Sequence, residues 1–182
     1  MITLLFIIIA AVLVWLIITY NLFIRDHNLI KETWSGIDVQ LKRRYNLIPN
    51  LVETVRGYSL HERKLFEDIT EKRSKTLLIN DRYEKAAVET DISGMLKNII
   101  AVVENYPDLK ANVNFLDLQK QLMDIEDQLQ YARRYFNGSV RRYNIRIESF
   151  PSNIIASVFD FKQQEFFEIT LATERQVPEV KL

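Results

Sequence analysis

Cysteine is absent from the 182 residues, and glycine and proline occur only four times each. The first absence removes disulfide frameworks, thiolate metal sites and cysteine nucleophiles, without fixing the compartment. The shortage of turn formers points to long uninterrupted elements. Histidine is limited to His27 and His61. His61-Glu62 does not continue as a metalloprotease helix, because Leu65 stands where the second histidine would be. No phosphate-binding loop, dinucleotide fingerprint or nucleophile elbow occurs, and four glycines could hardly supply one. Glu126 and Asp127 are neighbours that point to different helix faces, unsuited to shared acid–base work. No catalytic residue, metal site or cofactor is therefore expected, and no enzyme. An excess of either charge is also lacking: 24 Lys and Arg balance 24 Asp and Glu. That balance offers no global field for nucleic acid, which is not expected as a partner.

Charge is distributed unevenly. Residues 1–24 carry no charged side chain, and residues 4–18 no polar one except the Trp15 indole. As a helix, residues 2–24 would extend roughly 34 Å, enough to cross a hydrocarbon core of about 30 Å. Tyr20 suits an interface, whereas Trp15 lies deep for that role. A cleaved signal peptide is the rival reading. It fits less well, since no basic region precedes the run and the small residues Ala10 and Ala11 lie in its middle. Residues 1–24 are read as an uncleaved anchor in the bilayer. Arg25 and Lys31 follow it while no Lys or Arg precedes it, which places the soluble part in the cytoplasm.

Helical spacing dominates the rest. Trp34, Ile37, Leu41, Tyr45, Ile48, Val52 and Val55 recur at intervals of three and four, an apolar stripe that keeps phase across Pro49. One kinked helix is expected, ending near Gly57. A charge-rich helix follows over 59–79, with Leu65, Ile69 and Leu77 partly in phase. Another over 83–104 carries Ala87, Leu96, Ile99, Ile100 and Val103, with Gly94 and Asp91-Ile92-Ser93 as a point of division. Tyr106-Pro107 ends that element, and Asn112 is a plausible N-cap. The clearest stripe runs from Phe115 through Leu118, Leu122, Ile125, Leu129, Ala132, Phe136, Val140, Tyr143 and Ile147 to Phe150. It predicts a helix over 112–149, then a short helix from 152 to 167. The fold class is all-α, a single N-terminal transmembrane helix followed by an antiparallel long-helix bundle. The expected domains are the 1–24 anchor, a 25–169 bundle and a mobile tail over 170–182.

Three segments resemble one family. They are Ile37-Asp38-Val39-Gln40-Leu41-Lys42-Arg43-Arg44-Tyr45-Asn46-Leu47-Ile48-Pro49-Asn50-Leu51-Val52-Glu53-Thr54-Val55, then Glu104-Asn105-Tyr106-Pro107-Asp108-Leu109-Lys110-Ala111-Asn112-Val113-Asn114-Phe115, and Tyr143-Asn144 with Ser149-Phe150-Pro151. With the anchor and Pro178-Glu179-Val180, the chain is similar to the LemA family over nearly its whole length. The resemblance implies a bacterial membrane protein with one N-terminal span and a long-helix bundle. It implies no particular reaction. Members are commonly encoded beside a membrane zinc protease, which implies a protease among the protein partners, and a magnetosome membrane protein is similar to the family.

The candidate partner-binding residues are Lys42, Arg43, Arg44, Asn46, Asn50 and Glu53. The Lys42-Arg43-Arg44 cluster would suit lipid headgroups, a nucleic acid or an acidic partner, or else local pairing such as Asp38 with Lys42. On a straight helix Lys42 lies roughly 27 Å beyond residue 24, so lipid contact would need the domain to fold down. Arg43, Asn46, Asn50 and Glu53 share one face, either solvated or a polar seam between helices. Pro49 would leave the Tyr45 carbonyl open to a ligand or water. Acidic residues 117–127 and basic residues 133–146 of the long helix follow the order its macrodipole favours, and Asn137-Gly138 is a flexible point within it. Phe159, Phe161, Phe166 and Phe167 read as packing on the bundle end, or as a membrane or partner contact. The expected function is a membrane-anchored scaffold or adaptor. A lipid-binding, membrane-organising protein is the alternative, with self-association among its modes.

Overall fold

The computed structural model describes residues 1–58, 62–79 and 81–167, with the backbone alone at residue 83. Among the described residues six α-helices and no strand occur. They are α1 (Ile2–Arg56), α2 (Arg63–Thr76), α3 (Arg82–Val103), α4 (Pro107–Lys110), α5 (Val113–Glu148) and α6 (Ser152–Val158). The bundle is all-helical, as the spacing predicts. The expected tail over 170–182 lies outside the described residues.

α1 holds the apolar run and the first amphipathic stripe in one helix. It passes through Pro49 and ends one residue before Gly57. Its first part is the only stretch among the described residues that is long and apolar enough to cross a membrane. From Ile2 to Ile18 its aliphatic side chains stand mostly bare, and burial begins at Thr19 and Phe23.

The chain divides into two compact units. The first joins Met1–Val39 to Leu129–Phe166. Here α1 and α5 run antiparallel, since contacts descend one helix as they climb the other. Phe23 meets Tyr143 edge-on (6.1 Å), Thr33 Oγ1 lies 3.1 Å from Ser139 Oγ, and Trp34 meets Phe136 (5.6 Å). α5 stops at Glu148, where the chain turns towards Pro151. Phe150 therefore leaves the stripe that predicts its burial and stands 80% exposed.

α6 is shorter than expected, seven residues, and ends in a Schellman turn. The Phe161 N–H reaches back to the Ala156 carbonyl (2.9 Å) with Asp160 in the left-handed region at φ 54°. That reversal lays the Phe161 ring on Phe23 (4.8 Å). Asn144 then clasps the returning chain, donating to the Gln164 carbonyl (2.8 Å) and accepting from its N–H (2.9 Å).

The second unit comprises Gln40–Gln128 with Phe167. α2 packs on α3 and α3 on α4. The inner face of α2 is Phe66, Ile69 and Thr76, while Leu77 lies exposed past its end. α3 is undivided at Gly94, contrary to the expected break. A helical glycine costs only about 1 kcal/mol, and Ile92, Leu96 and Ile99 bury on either side of it. Ala86 rather than Ala87 begins that buried row. Asn112 caps α5 as its sequence predicts, accepting from the N–H groups of Asn114 (2.9 Å) and Phe115 (3.2 Å).

Candidate interaction site

The six candidate residues separate into two groups. Lys42, Arg43, Asn46, Asn50 and Glu53 all stand exposed along α1, with Pro49 between them. They form a solvated ridge, and the seam between helices is not what the structure shows. Its contacts stay local: Arg43 donates to Gln40 Oε1 (3.1 Å), and Thr54 donates to the Asn50 carbonyl (2.8 Å).

Arg44 belongs elsewhere. Its side chain is 4% exposed, 3.4 Å from Glu89 of α3 and 2.9 Å from Glu126 of α5. The Tyr45 hydroxyl also donates to Glu89, itself fully buried. The carbonyl that Pro49 releases at Tyr45 is not open to a ligand, because Arg73 Nε of α2 donates to it at 2.7 Å. Four helices thus meet at one buried polar node. A buried backbone acceptor needs such a partner, and a buried guanidinium needs its carboxylates. This node holds helices together, with Arg44, Tyr45 and Glu89 buried and Glu126 partly exposed.

A second buried charge lies in the first unit. Asp26, two residues past the charge-free run, is fully buried. Arg146 of α5 donates to its Oδ2 through Nε (3.0 Å) and Nη2 (2.9 Å), and Arg142 lies 3.5 Å from Oδ1. Seven residues separate Asp26 from Thr33 and Ser139 from Arg146, so two polar pairs recur at heptad spacing on both helices. Polar residues at such positions fix register, since a slipped pairing would strand a buried charge. The charges of α5 therefore do more than complement its dipole. Glu126, Arg142 and Arg146 are spent on α1.

Asp26, Arg73 and Glu89 carry this geometry and were not among the candidates. A signal for two of them existed. Asp26 falls in phase with Phe23 and Ile30, and Glu89 with Ala86 and Ile92, so both are charges at core positions.

Other features converge on no ligand chemistry. A groove of about 480 Å³ opens between α1 and α2, lined by Val52, Arg56, Arg63, Phe66, Glu67 and Thr70. Arg63 and Glu67 in its wall neutralise each other at 2.7 Å, which raises the pKa of Arg63 through that hydrogen bond and its charge. Among the described residues no three His, Cys, Asp or Glu side chains gather where they could hold a metal ion. His61 lies outside the described residues.

The LemA family model matches residues 33–182. Magnetosome protein MamQ of Magnetospirillum gryphiswaldense is similar at 25% identity over 84% of this chain, and the match spans 65% of that relative, just under two thirds. Magnetosome protein MamQ 2 of Paramagnetospirillum magneticum is 24% identical over 88% of the chain and 68% of its own length. Protein LemA of Metamycoplasma hominis is 27% identical over 81% of the chain and 68% of its own length.

Proposed function

The chain belongs to the LemA family, and from that premise we propose that this membrane protein is a non-enzymatic scaffold or adaptor. It holds partner proteins at the bacterial inner membrane, with the bundle on the cytoplasmic side. The observation that carries this reading is the exposed ridge of Lys42, Arg43, Asn46, Asn50 and Glu53, on the helix that also contains the apolar run. Arg44, the neighbour the fold needs, is turned inward, while the ridge is left to solvent. Tethering concentrates such a surface for other membrane proteins, a membrane protease among them. Arg25 and Lys31, close behind the apolar run, support the cytoplasmic orientation.

The test is in-cell crosslinking of the full-length protein, with a chain lacking residues 1–24 as control. Wild type should capture a discrete protein that Arg43→Glu or Asn50→Ala loses, with unchanged thermal unfolding. Capture unaffected by both substitutions removes the ridge as the docking site. Capture of copies of itself alone favours the second reading, a membrane-organising protein. That reading draws support from Phe159 and Phe161, whose rings lie against Tyr20 and Phe23. The relatives named as magnetosome proteins are compatible with it.

A further inference from the structure

α6 carries apolar side chains on its exposed face, between Asn153 and Ser157, as well as on its buried one. Its inner face buries Ile155 and Ala156, yet Ile154 and Val158, four residues apart on one face, stand exposed, Val158 at 72%. Phe150 before the helix and Phe159 after it are exposed as well. Four large apolar side chains on so short a segment form a patch that a water-facing surface seldom leaves uncovered.

The segment's neighbours indicate what covers it. The Phe159 ring packs 4.9 Å from Tyr20, and Phe161 stacks on Phe23. Tyr20 lies five residues inward of Arg25, the first charged side chain, or roughly 7–8 Å deeper along the helix axis. Amphipathic segments at a membrane surface bury their apolar face about 5–10 Å into the boundary of headgroups and acyl chains. The patch therefore continues the apolar surface of the span sideways at interfacial depth. Beside it Arg25 and Arg142, both exposed, flank the buried Asp26. Basic side chains at that level suit a phosphate-bearing surface.

We propose that Phe150, Ile154, Val158 and Phe159 form a second membrane contact, seated in the headgroup–acyl boundary of the leaflet from which α1 emerges. The inference rests on residues 2–24 being a span. A lone helix leaves rotation about its axis unrestrained. A second contact on one side of it fixes which face of α1 and α5 turns to the membrane.

The absence of cysteine makes the test direct. Ile154→Cys, Val158→Cys, Val12→Cys and Tyr135→Cys are each made in the full-length chain and labelled with an environment-sensitive fluorophore. They are then reconstituted at high lipid excess in phosphatidylcholine–phosphatidylglycerol vesicles containing nitroxide-bearing lipid. All four positions are exposed in the structure, so the substitutions leave the core intact, and circular dichroism checks that they do. The labels at 154 and 158 should shift to the blue and lose intensity to the lipid nitroxide, as at Val12, while the label at Tyr135 does neither. Unshifted, unquenched emission at 154 and 158 with normal quenching at Val12 overturns the second contact and leaves the span standing. A water-like signal at Val12 refutes the span itself, and this proposal with it. A blue shift at 154 and 158 without lipid quenching means that protein, such as a second copy, covers the patch, and also overturns it.

Discussion

Glu89→Ala isolates the node at which four helices meet. Removing this carboxylate takes from Arg44, 4% exposed, one of its two ion-pair partners, and from the Tyr45 hydroxyl its acceptor. Glu126 remains, but it is 36% exposed and shares its charge with water. Breaking one side of a buried pair costs about 3–5 kcal/mol, because the surviving charge stays desolvated. At roughly 2–4 °C per kcal/mol for a chain of this size, the melting midpoint should fall by about 6–20 °C. The assay is thermal unfolding of the full-length protein in detergent, followed by far-ultraviolet circular dichroism. Arg44→Met combined with Glu89→Leu removes both charges. It should be less damaging than Glu89→Ala, since apolar replacement of a buried pair is often neutral. Arg43→Ala, on the exposed ridge one residue away, should stay within about 0.5 kcal/mol of wild type. If Glu89→Ala also stays there, or the double variant is worse than the single, the node is not what holds these helices.

Three further outcomes follow from the same structure. Arg146→Ala should lower the melting midpoint more than Asp26→Ala, because the first leaves a fully buried carboxylate to the exposed Arg142 and Arg25, at 3.5 and 4.0 Å, and the second leaves an arginine with access to water. Equal losses would contradict that account. Gly138→Ala should raise stability by up to about 1 kcal/mol, since the residue lies inside α5 and an added Cβ meets nothing within 4 Å; denaturant titration measures it, and destabilisation would show a packing role for the glycine. Burial raises the Tyr143 pKa above its ordinary value near 10. The unfolded chain then releases this proton first, so the tyrosine's contribution is intact below about pH 10 and lost as pH rises towards the folded value. The stability difference between wild type and Tyr143→Phe should be flat below about pH 9 and shift in favour of the phenylalanine variant above pH 10.

Much of the fold was legible because its causes are local. A charge-free run long enough to cross a bilayer, stripes at intervals of three and four, and the Asn112 cap each depend on neighbours within a few turns of chain. These place α1, α3 and α5 within a few residues of their observed ends. The polar contacts were legible only in part. Along α1 the buried row is Phe23, Asp26, Ile30, Thr33, Ile37, Leu41, Arg44, Ile48, Leu51 and Val55. Counting apolar residues alone skips Asp26, Thr33 and Arg44, although each keeps the spacing. Arg44 read as one of three surface cations because nothing beside it in sequence shows Glu89 or Glu126.

The amino-acid sequence alone determined the long apolar run and the helical class, consequences of side-chain periodicity and of what water and lipid exclude. Tertiary structure alone decided which charges are consumed inside and which stay outside. A stripe says which face turns inward, but the partner of a buried charge depends on the height at which another helix lies against it. That register put Arg146 on Asp26, Glu89 on Arg44 and Arg73 on the Tyr45 carbonyl, and left Arg43, Asn46 and Asn50 to solvent.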